Sequence, residues 1–359
     1  DFKENNLHVV NYSHEIDKTV SLKKLKKNIF YIKKLPKFIP YVTSYYKKTW
    51  GFCLSYNQFK SLKNGNYKVK IDTKFINGNV TNGLAILKGK SNKICLISSY
   101  MCHPSMANNE LSGPLGLLIL YNKIKRWKNR NLTYYFLINP ETIGSISFID
   151  QFKKILKKKL YSGLVLTCLG GPRKKISYKL SRSGNSPLDK VMSYYNKKNL
   201  INIRNFDPLD GSDERQYSSP GFRIPVATIT KDKYYEYPYY HTSLDDLSFV
   251  KSESLLEAFD VHKTWINLIE SYCYPKRINA FCEFQLGKRD LYPKVGGTLN
   301  QQAYEANEAG SHNRLFKFED TVILNGAHLD AFHWLMHLAD GTVSNFDISK
   351  KSKLDISVI

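Results

Sequence analysis

Four short segments of this chain combine residue types that can hold a cation or move a proton, and each lies near an apolar run. The first, Tyr100-Met101-Cys102-His103-Pro104-Ser105, follows Ile94 to Ser98 and leads into Asn108-Asn109-Glu110-Leu111-Ser112-Gly113. A His beyond a strand end, with an amide (Asn109) and a carboxylate (Glu110) six and seven residues later, can set nitrogen and oxygen donors around one cation. The second, Asn139-Pro140-Glu141-Thr142-Ile143-Gly144-Ser145, puts Glu141 just past another apolar run. There it can act as a base toward bound water or as a metal ligand. The third is the polar stretch Asp210-Gly211-Ser212-Asp213-Glu214-Arg215-Gln216-Tyr217, and the fourth is Tyr240-His241-Thr242-Ser243-Leu244-Asp245-Asp246. Each has a plainer account when taken alone: a loop with Asn and Ser caps, an acidic first turn favoured by the helix dipole, a solvated loop, a structural His. Four such loops after successive strands of one sheet favour a shared site.

The elements that must position these loops are legible as a change of rhythm. Residues 1 to about 50 hold a strand-like segment at Leu7 to Val10, a Lys-rich helical stretch, Pro36, Pro40 and the pair Tyr45-Tyr46. From 52 to 92, alternating or apolar runs (Tyr67 to Asp72, Gly83 to Leu87) lie between Asn-Gly pairs, which predicts a small β module of hairpins. From 93 to 272, apolar runs at Ile94 to Ser98, Tyr134 to Ile138, Gly163 to Thr167 and Pro225 to Ile229 read as buried strands. Helical stretches at Leu111 to Trp127, Ile146 to Leu160, Leu188 to Lys197 and Leu255 to Tyr272 intervene. That alternation predicts an α/β fold, a mainly parallel sheet flanked by helices, with its ligand site beyond the carboxyl ends of strands. After 283 the pattern breaks, and Ala327 to Leu338 predicts a helix, followed at Asp340-Gly341 by a turn into another.

Composition narrows the class. The 359 residues, 42% of them hydrophobic, suffice for one substantial core and a smaller second unit. No run reaches the roughly 18 apolar residues of a membrane helix, and the start, Asp1-Phe2-Lys3-Glu4, has neither an initiator Met nor an apolar signal core. A trimmed, cytoplasmic chain without membrane insertion is therefore expected. The six cysteines include no CxxC pair and are expected to be reduced core residues. The net charge of +23 comes mainly from Lys, interleaved with apolar residues as on solvated helix faces, which argues against nucleic acid as partner. The run Ala327 to Leu338 carries His328, His333 and His337 but no Lys or Arg; a packed or exposed helix is expected there before a metal site.

Taken together, the motifs from Cys102 to Gly113, Asn139 to Ser145, Ser212 to Tyr217 with Pro220 to Pro225, and Tyr240 to Ser243 resemble the zinc aminopeptidase and glutamate carboxypeptidase superfamily. More specifically, the chain is similar to bacterial aminopeptidase-like proteins with a C-terminal winged-helix domain. The resemblance implies residues 1–51 as a truncated N-terminal part of the peptidase-like domain, 52–92 as an attached β module, 93–282 as the core and 283–359 as the winged helix. It also implies a link to surface polysaccharide biosynthesis.

The superfamily holds two zinc ions with two His, a bridging Asp and two further carboxylates, while another Glu is the base. Carried onto this chain, His103 and His241 match the two His ligands. Asn109 stands at the bridging Asp position, Pro140-Glu141 replaces a Glu-Glu pair, and Thr167-Cys168-Leu169 lacks the Asp expected after the third strand. The resemblance then implies one zinc ion on His103, His241 and a carboxylate from Glu110 or Asp213, with Glu141 as base. Asn109, Arg215 and Tyr240 would contact substrate. Metal-dependent hydrolysis of an amide or peptide bond in a small, sugar-linked substrate is the expected function. A metal-free binding or scaffold protein and a winged-helix nucleic-acid regulator are the alternatives. For the winged helix, a second copy of the chain or another protein is the expected partner.

Overall fold

Apolar runs too short for helices, separated by helix-period stretches, dictate a buried sheet with helical cover. The computed structural model describes residues 8–45, 47–196, 201–283, 285, 286, 288, 316–318, 322–324 and 326–359. They divide into two units, Asp1–Ile266 and Asn267–Ile359.

The first unit opens with β1 (His8–Val9), β2 (Ile16–Ser21), α1 (Leu22–Leu25), β3 (Ile29–Phe30), β4 (Phe52–Cys53), α2 (Tyr56–Ser61), β5 (Asn66–Ile71) and β6 (Gly83–Leu87). β4 lies between β1 and β3, and β2 pairs antiparallel with β5 from Ile16↔Ile71 to Ser21↔Asn66. Ile16, Val20, Leu25, Ile29, Leu54, Val69 and Ile71 bury a small core between them. The self-contained module of hairpins expected over 52–92 does not form. Its strands pair outward: β4 with β1 and β3, β5 with β2, and β6 with a strand of the main sheet. Alternation specifies a strand and its buried face, but not which edge it joins.

The main sheet adds β7 (Ile94–Tyr100), α3 (Ser112–Lys125), β8 (Thr133–Asn139), α4 (Ile143–Lys159), β9 (Leu160–Leu166), β10 (Ile176–Lys179), α5 (Pro187–Tyr195), β11 (Ile201–Arg204), α6 (Glu214–Tyr217), β12 (Val226–Thr230) and α7 (Ser252–Ser271). Its order is β11-β10-β12-β9-β7-β8-β6. The four central strands run parallel, β12 to β9, β9 to β7 and β7 to β8. β10 is antiparallel to β12, and β6 to β8. Every residue of β7 and β12 is buried, as expected of strands covered on both faces. Local chemistry fixes the helix starts: Ser186 and Asp189 form a capping box, with Pro187 at the first position of α5. Gly113 lets the first turn of α3 reach the sheet, because a Cβ there would collide with the Leu166 carbonyl and Ser99 Oγ.

In the second unit, β13 (Phe316–Phe318) and β14 (Val322–Leu324) form an antiparallel pair, followed by α8 (Gly326–Leu338) and α9 (Asn345–Ser352). Both helices fall where the sequence predicts. Leu286, Leu329 and Met336 form a small core with Phe332, and Arg277 spans the Met336 and Cys282 carbonyls at 2.7 and 2.8 Å. His337 meets Glu283 at 3.3 Å on the surface. Among the described residues, no helix is long and apolar enough to cross a membrane.

Candidate active site

Because β8, β7, β9 and β12 are parallel, their carboxyl ends share one edge of the sheet, and the loops that follow them must meet there. His103 follows β7, Glu141 follows β8, Cys168 follows β9 and His241 lies beyond β12. The backbone at this edge is unusual. Ser105, Thr142, Cys168 and His241 all adopt left-handed conformations, with φ of 61°, 65°, 52° and 54°. Such conformations cost about 1–3 kcal/mol each in residues with a side chain, and persist where surrounding contacts over-determine them.

The His103 and His241 rings lie 5.2 Å apart, centre to centre. His103 Nδ1 sits 2.6 Å from Glu110 Oε1, and Nε2 sits 3.8 Å from Glu141 Oε2. Burial pulls the His103 imidazolium down, but hydrogen bonds and charge from Cys102 and Glu110 outweigh it and hold its pKa at about 10. Burial, and then the neighbouring charge of His103, lower His241 to about 3. His241 stacks on Tyr240 at 3.8 Å and 18°, and meets Tyr41 edge-on at 5.2 Å. Its Nε2 is buried without a hydrogen-bond partner.

Glu141 Oε1 accepts from Ser212 Oγ at 2.8 Å. Burial raises its pKa, against the opposing pull of His103 and the Ser212 hydrogen bond. Glu110 is buried and fully engaged: besides His103 it accepts the Cys102 N–H and, at 3.1 Å, Asn109 Nδ2. A carboxylate on Nδ1 orients a ring whose Nε2 faces the site, the arrangement that commonly supports a metal-bound His.

Asp213 is not brought into this cluster. Its Oδ2 accepts Asn139 Nδ2 at 2.8 Å, and its Oδ1 accepts Thr142 N–H at 2.7 Å and Ser145 Oγ at 3.1 Å. It holds the Glu141 loop from behind, and burial raises its pKa to about 7 against those hydrogen bonds. Asn109 Oδ1 accepts Tyr100 OH at 3.3 Å, and Thr167 Oγ1 donates to Tyr100 OH at 2.7 Å. A neutral network thus occupies the place where the resemblance puts a bridging carboxylate. Arg215 is exposed, and its Nε lies 3.3 Å from the Ser212 carbonyl; the adjacent Glu214 pairs instead with Lys179 at 2.6 Å, both fully buried.

Sequence reasoning missed several participants. Tyr41, two hundred residues from His241, also lies 5.1 Å from the His103 ring, and its backbone N–H donates to the His241 carbonyl at 2.8 Å. Asp245, to which its sequence segment gives no role, accepts the backbone N–H groups of Asn108 and Asn109. The expectation of core cysteines holds for Cys53, Cys95 and Cys168 and fails for Cys102, Cys273 and Cys282, which are exposed. Cys102 falls in a loop past a strand end, where an apolar neighbour says little about burial.

The donors suit a divalent metal ion. The orphaned His241 Nε2 faces no competing partner, and among the described residues Cys102 Sγ, a His103 ring nitrogen and a Glu141 oxygen lie within 4.8 Å of one another. Beside them, a cavity of 440 Å³ is lined by Met101, Met106, Leu111, Asp246 and Leu247 among others.

Comparison with known proteins agrees with this architecture. A family profile described as "Domain of unknown function (DUF4910)" matches residues 17–272. A Clostridium acetobutylicum protein, provisionally named a polysaccharide biosynthesis protein with aminopeptidase-like domain, is 35% identical over 99% of this chain and 76% of its own length. The crystal structure of a provisionally named peptidase from the same organism superposes with a TM-score of 0.77 at 32% identity, covering 99% of this chain and 74% of that one. The zinc aminopeptidase BSAP of Bacillus subtilis matches in fold, with a TM-score of 0.54 at 17% identity over 67% of this chain and 62% of its own. On this sequence match and this fold, the chain belongs to the DUF4910 family, built on an aminopeptidase-like domain.

Proposed function

We propose that this chain is a metal-dependent hydrolase of an amide or peptide bond, with His103 and His241 holding one zinc ion and Glu141 as the base. The observation that carries this reading is the convergence of two histidine rings 5.2 Å apart with a carboxylate 3.8 Å from one of them, at the carboxyl edge of four parallel strands. When bound, zinc supplies a Lewis acid that polarises the scissile carbonyl. Glu141 Oε2 lies 3.8 Å from His103 Nε2, beside the place the ion would take, and the Ser212 hydrogen bond to Oε1 leaves Oε2 to take a proton. Burial raises its pKa from the ordinary carboxylate range toward that of an effective general base. Tyr240 braces the His241 ring, and Arg215, whose side chain is exposed, would receive a substrate carboxylate. Asn109, engaged by Tyr100, positions Glu110 through its amide.

A cavity of 440 Å³ suits one amino-acid- or sugar-sized group. The name of the clostridial relative supports a sugar-linked amide made during polysaccharide synthesis as the substrate. For residues 283–359 we propose a winged-helix-like unit that docks a protein or a second copy of the chain. The sequence of α8 carries no Lys or Arg to meet phosphates.

The neutral network of Tyr100, Asn109 and Thr167 favours a second reading, a ligand-binding protein on the same fold. One experiment separates the two. Protein purified without chelator should carry close to one zinc per chain, lose it in the His103→Ala, His241→Ala double variant, and hydrolyse members of an aminoacyl-amide and amidosugar panel. Glu141→Gln should keep the metal and abolish turnover. Absence of metal, with added zinc failing to raise the Tm, would sink the hydrolase reading; metal without turnover would favour the binding protein.

A further inference from the structure

Three protein ligands are the rule for a catalytic zinc, and two histidines leave one position to fill. Both carboxylates that the sequence offers for it are committed elsewhere. Glu110 is engaged by His103 Nδ1, the Cys102 N–H and Asn109 Nδ2. Asp213 is engaged by Asn139, Thr142 and Ser145. Cys168 is sealed in the core beside Thr167 and Asn109, and burial pushes its thiol far up, away from the thiolate a metal needs.

Cys102 differs on each count. It is exposed, its Sγ lies 3.3 Å from His103 Nδ1, and the backbone N–H of Glu141 donates to it at 3.4 Å. That N–H orients the sulfur toward the Glu141 loop. Sulfur, a ring nitrogen of His103 and an oxygen of Glu141 stand within 4.8 Å of one another. In a tetrahedral site with zinc–sulfur and zinc–nitrogen bonds of about 2.3 and 2.0 Å, neighbouring donor atoms are separated by about 3.5 Å. Cys102 Sγ and the His103 ring therefore stand near the spacing such an ion needs, and the His241 ring lies 5.2 Å beyond.

We propose that Cys102 supplies the third metal ligand, a thiolate beside His103 and His241, which leaves Glu141 free as the base. The inference rests on the metal-dependent reading of the site and deepens it. As the sulfur–metal bond forms, the Cys102 S–H bond breaks and its proton passes to solvent. A sulfur donor also sets the metal class: zinc, cobalt(II) or cadmium, and not magnesium, calcium or manganese, which prefer oxygen donors.

Cobalt(II) titrated into the chelator-stripped full chain tests this without recourse to activity. The wild type should develop visible ligand-field bands of a tetrahedral ion together with a near-ultraviolet thiolate-to-cobalt charge-transfer band. Cys102→Ser should lose the charge-transfer band and bind the ion roughly 10–100-fold more weakly, while Cys168→Ser keeps the band. Circular dichroism should confirm that both variants fold. Visible bands without a charge-transfer band in the wild type, or a band that survives Cys102→Ser, would overturn the thiolate ligand and leave the metal reading standing. No cobalt binding in the wild type would overturn both.

Discussion

Asp245 accepts the backbone N–H groups of Asn108 at 2.6 Å and Asn109 at 3.0 Å, so the loop that carries His241 grips the loop that carries His103. Tyr237 OH donates to the same carboxylate at 2.9 Å. Asp245→Ala removes all three acceptor contacts and leaves the backbone donors buried. The expected cost is about 3 kcal/mol in urea unfolding, given that hydrogen bonds to charged groups are worth about 1.5–3 kcal/mol. Zinc affinity should fall about 10–100-fold, as for other residues that support ligands. A zinc titration showing wild-type affinity would mean that this tie does not set the site.

Asp213 predicts a pH dependence of stability. Its folded pKa of about 7 lies above the ordinary value of about 3.9 for an unfolded chain. Between those values the folded state binds more protons than the unfolded state, so the stability contributed by this group falls as pH rises through the window. Asp213→Asn resembles the protonated form and removes the titration. Measured by urea midpoints from pH 5 to 7, the variant should gain on the wild type by up to about 1.4 kcal/mol per pH unit. A constant difference between the two would place Asp213 as an ionised group throughout.

Ser212 Oγ donates to Glu141 Oε1 at 2.8 Å and so fixes the orientation of that carboxylate. Ser212→Ala should lower kcat at least about tenfold, since one hydrogen bond to a charged group is worth about 1.5–3 kcal/mol, with zinc content unchanged. Loss of zinc in this variant would mean that Glu141 ligates the metal instead of serving as base.

The Lys179–Glu214 pair is fully buried, and Glu214 also accepts the Ser212 N–H at 3.1 Å. Lys179→Met strands the Glu214 carboxylate, which should cost about 3–5 kcal/mol and show as an early thermal transition. Adding Glu214→Gln should recover part of the loss. A double variant no better than the single would point to lost packing and not to an uncompensated charge.

Much of this architecture was legible from periodicity. The apolar run Ile94 to Ser98 became β7, Tyr134 to Ile138 became β8, and the helices from Leu111 and Leu255 begin within three residues of their observed starts. The parallel sheet follows from that alternation, and the meeting of His103, Glu141 and His241 follows from parallel strands. The contacts of Asp213 and Glu110 were not legible, because a loop's side-chain directions depend on dihedrals such as the φ of 65° at Thr142, which its composition does not dictate. Nor was the destination of β6, since a strand's pattern is the same on either edge of a sheet. Tyr41 was hidden for another reason: only the tertiary fold brings a Pro-rich N-terminal segment over a loop so distant in sequence.

That last contact sets an order of events in biosynthesis. Ile39 N–H donates to Ser243 Oγ across 204 residues, and Tyr41 N–H to the carbonyl of His241. The N-terminal segment reaches the ribosome exit long before its binding site is translated, and long-range contacts of this kind close slowly. Ile39 and Val42 can pack early against Val10 and Cys53, but the N–H groups of Ile39 and Tyr41 lack these partners until the His241 loop is made. A nascent chain stalled before residue 240 should exchange those two amide protons faster than one released beyond the loop: the site is the last part of its domain to be finished.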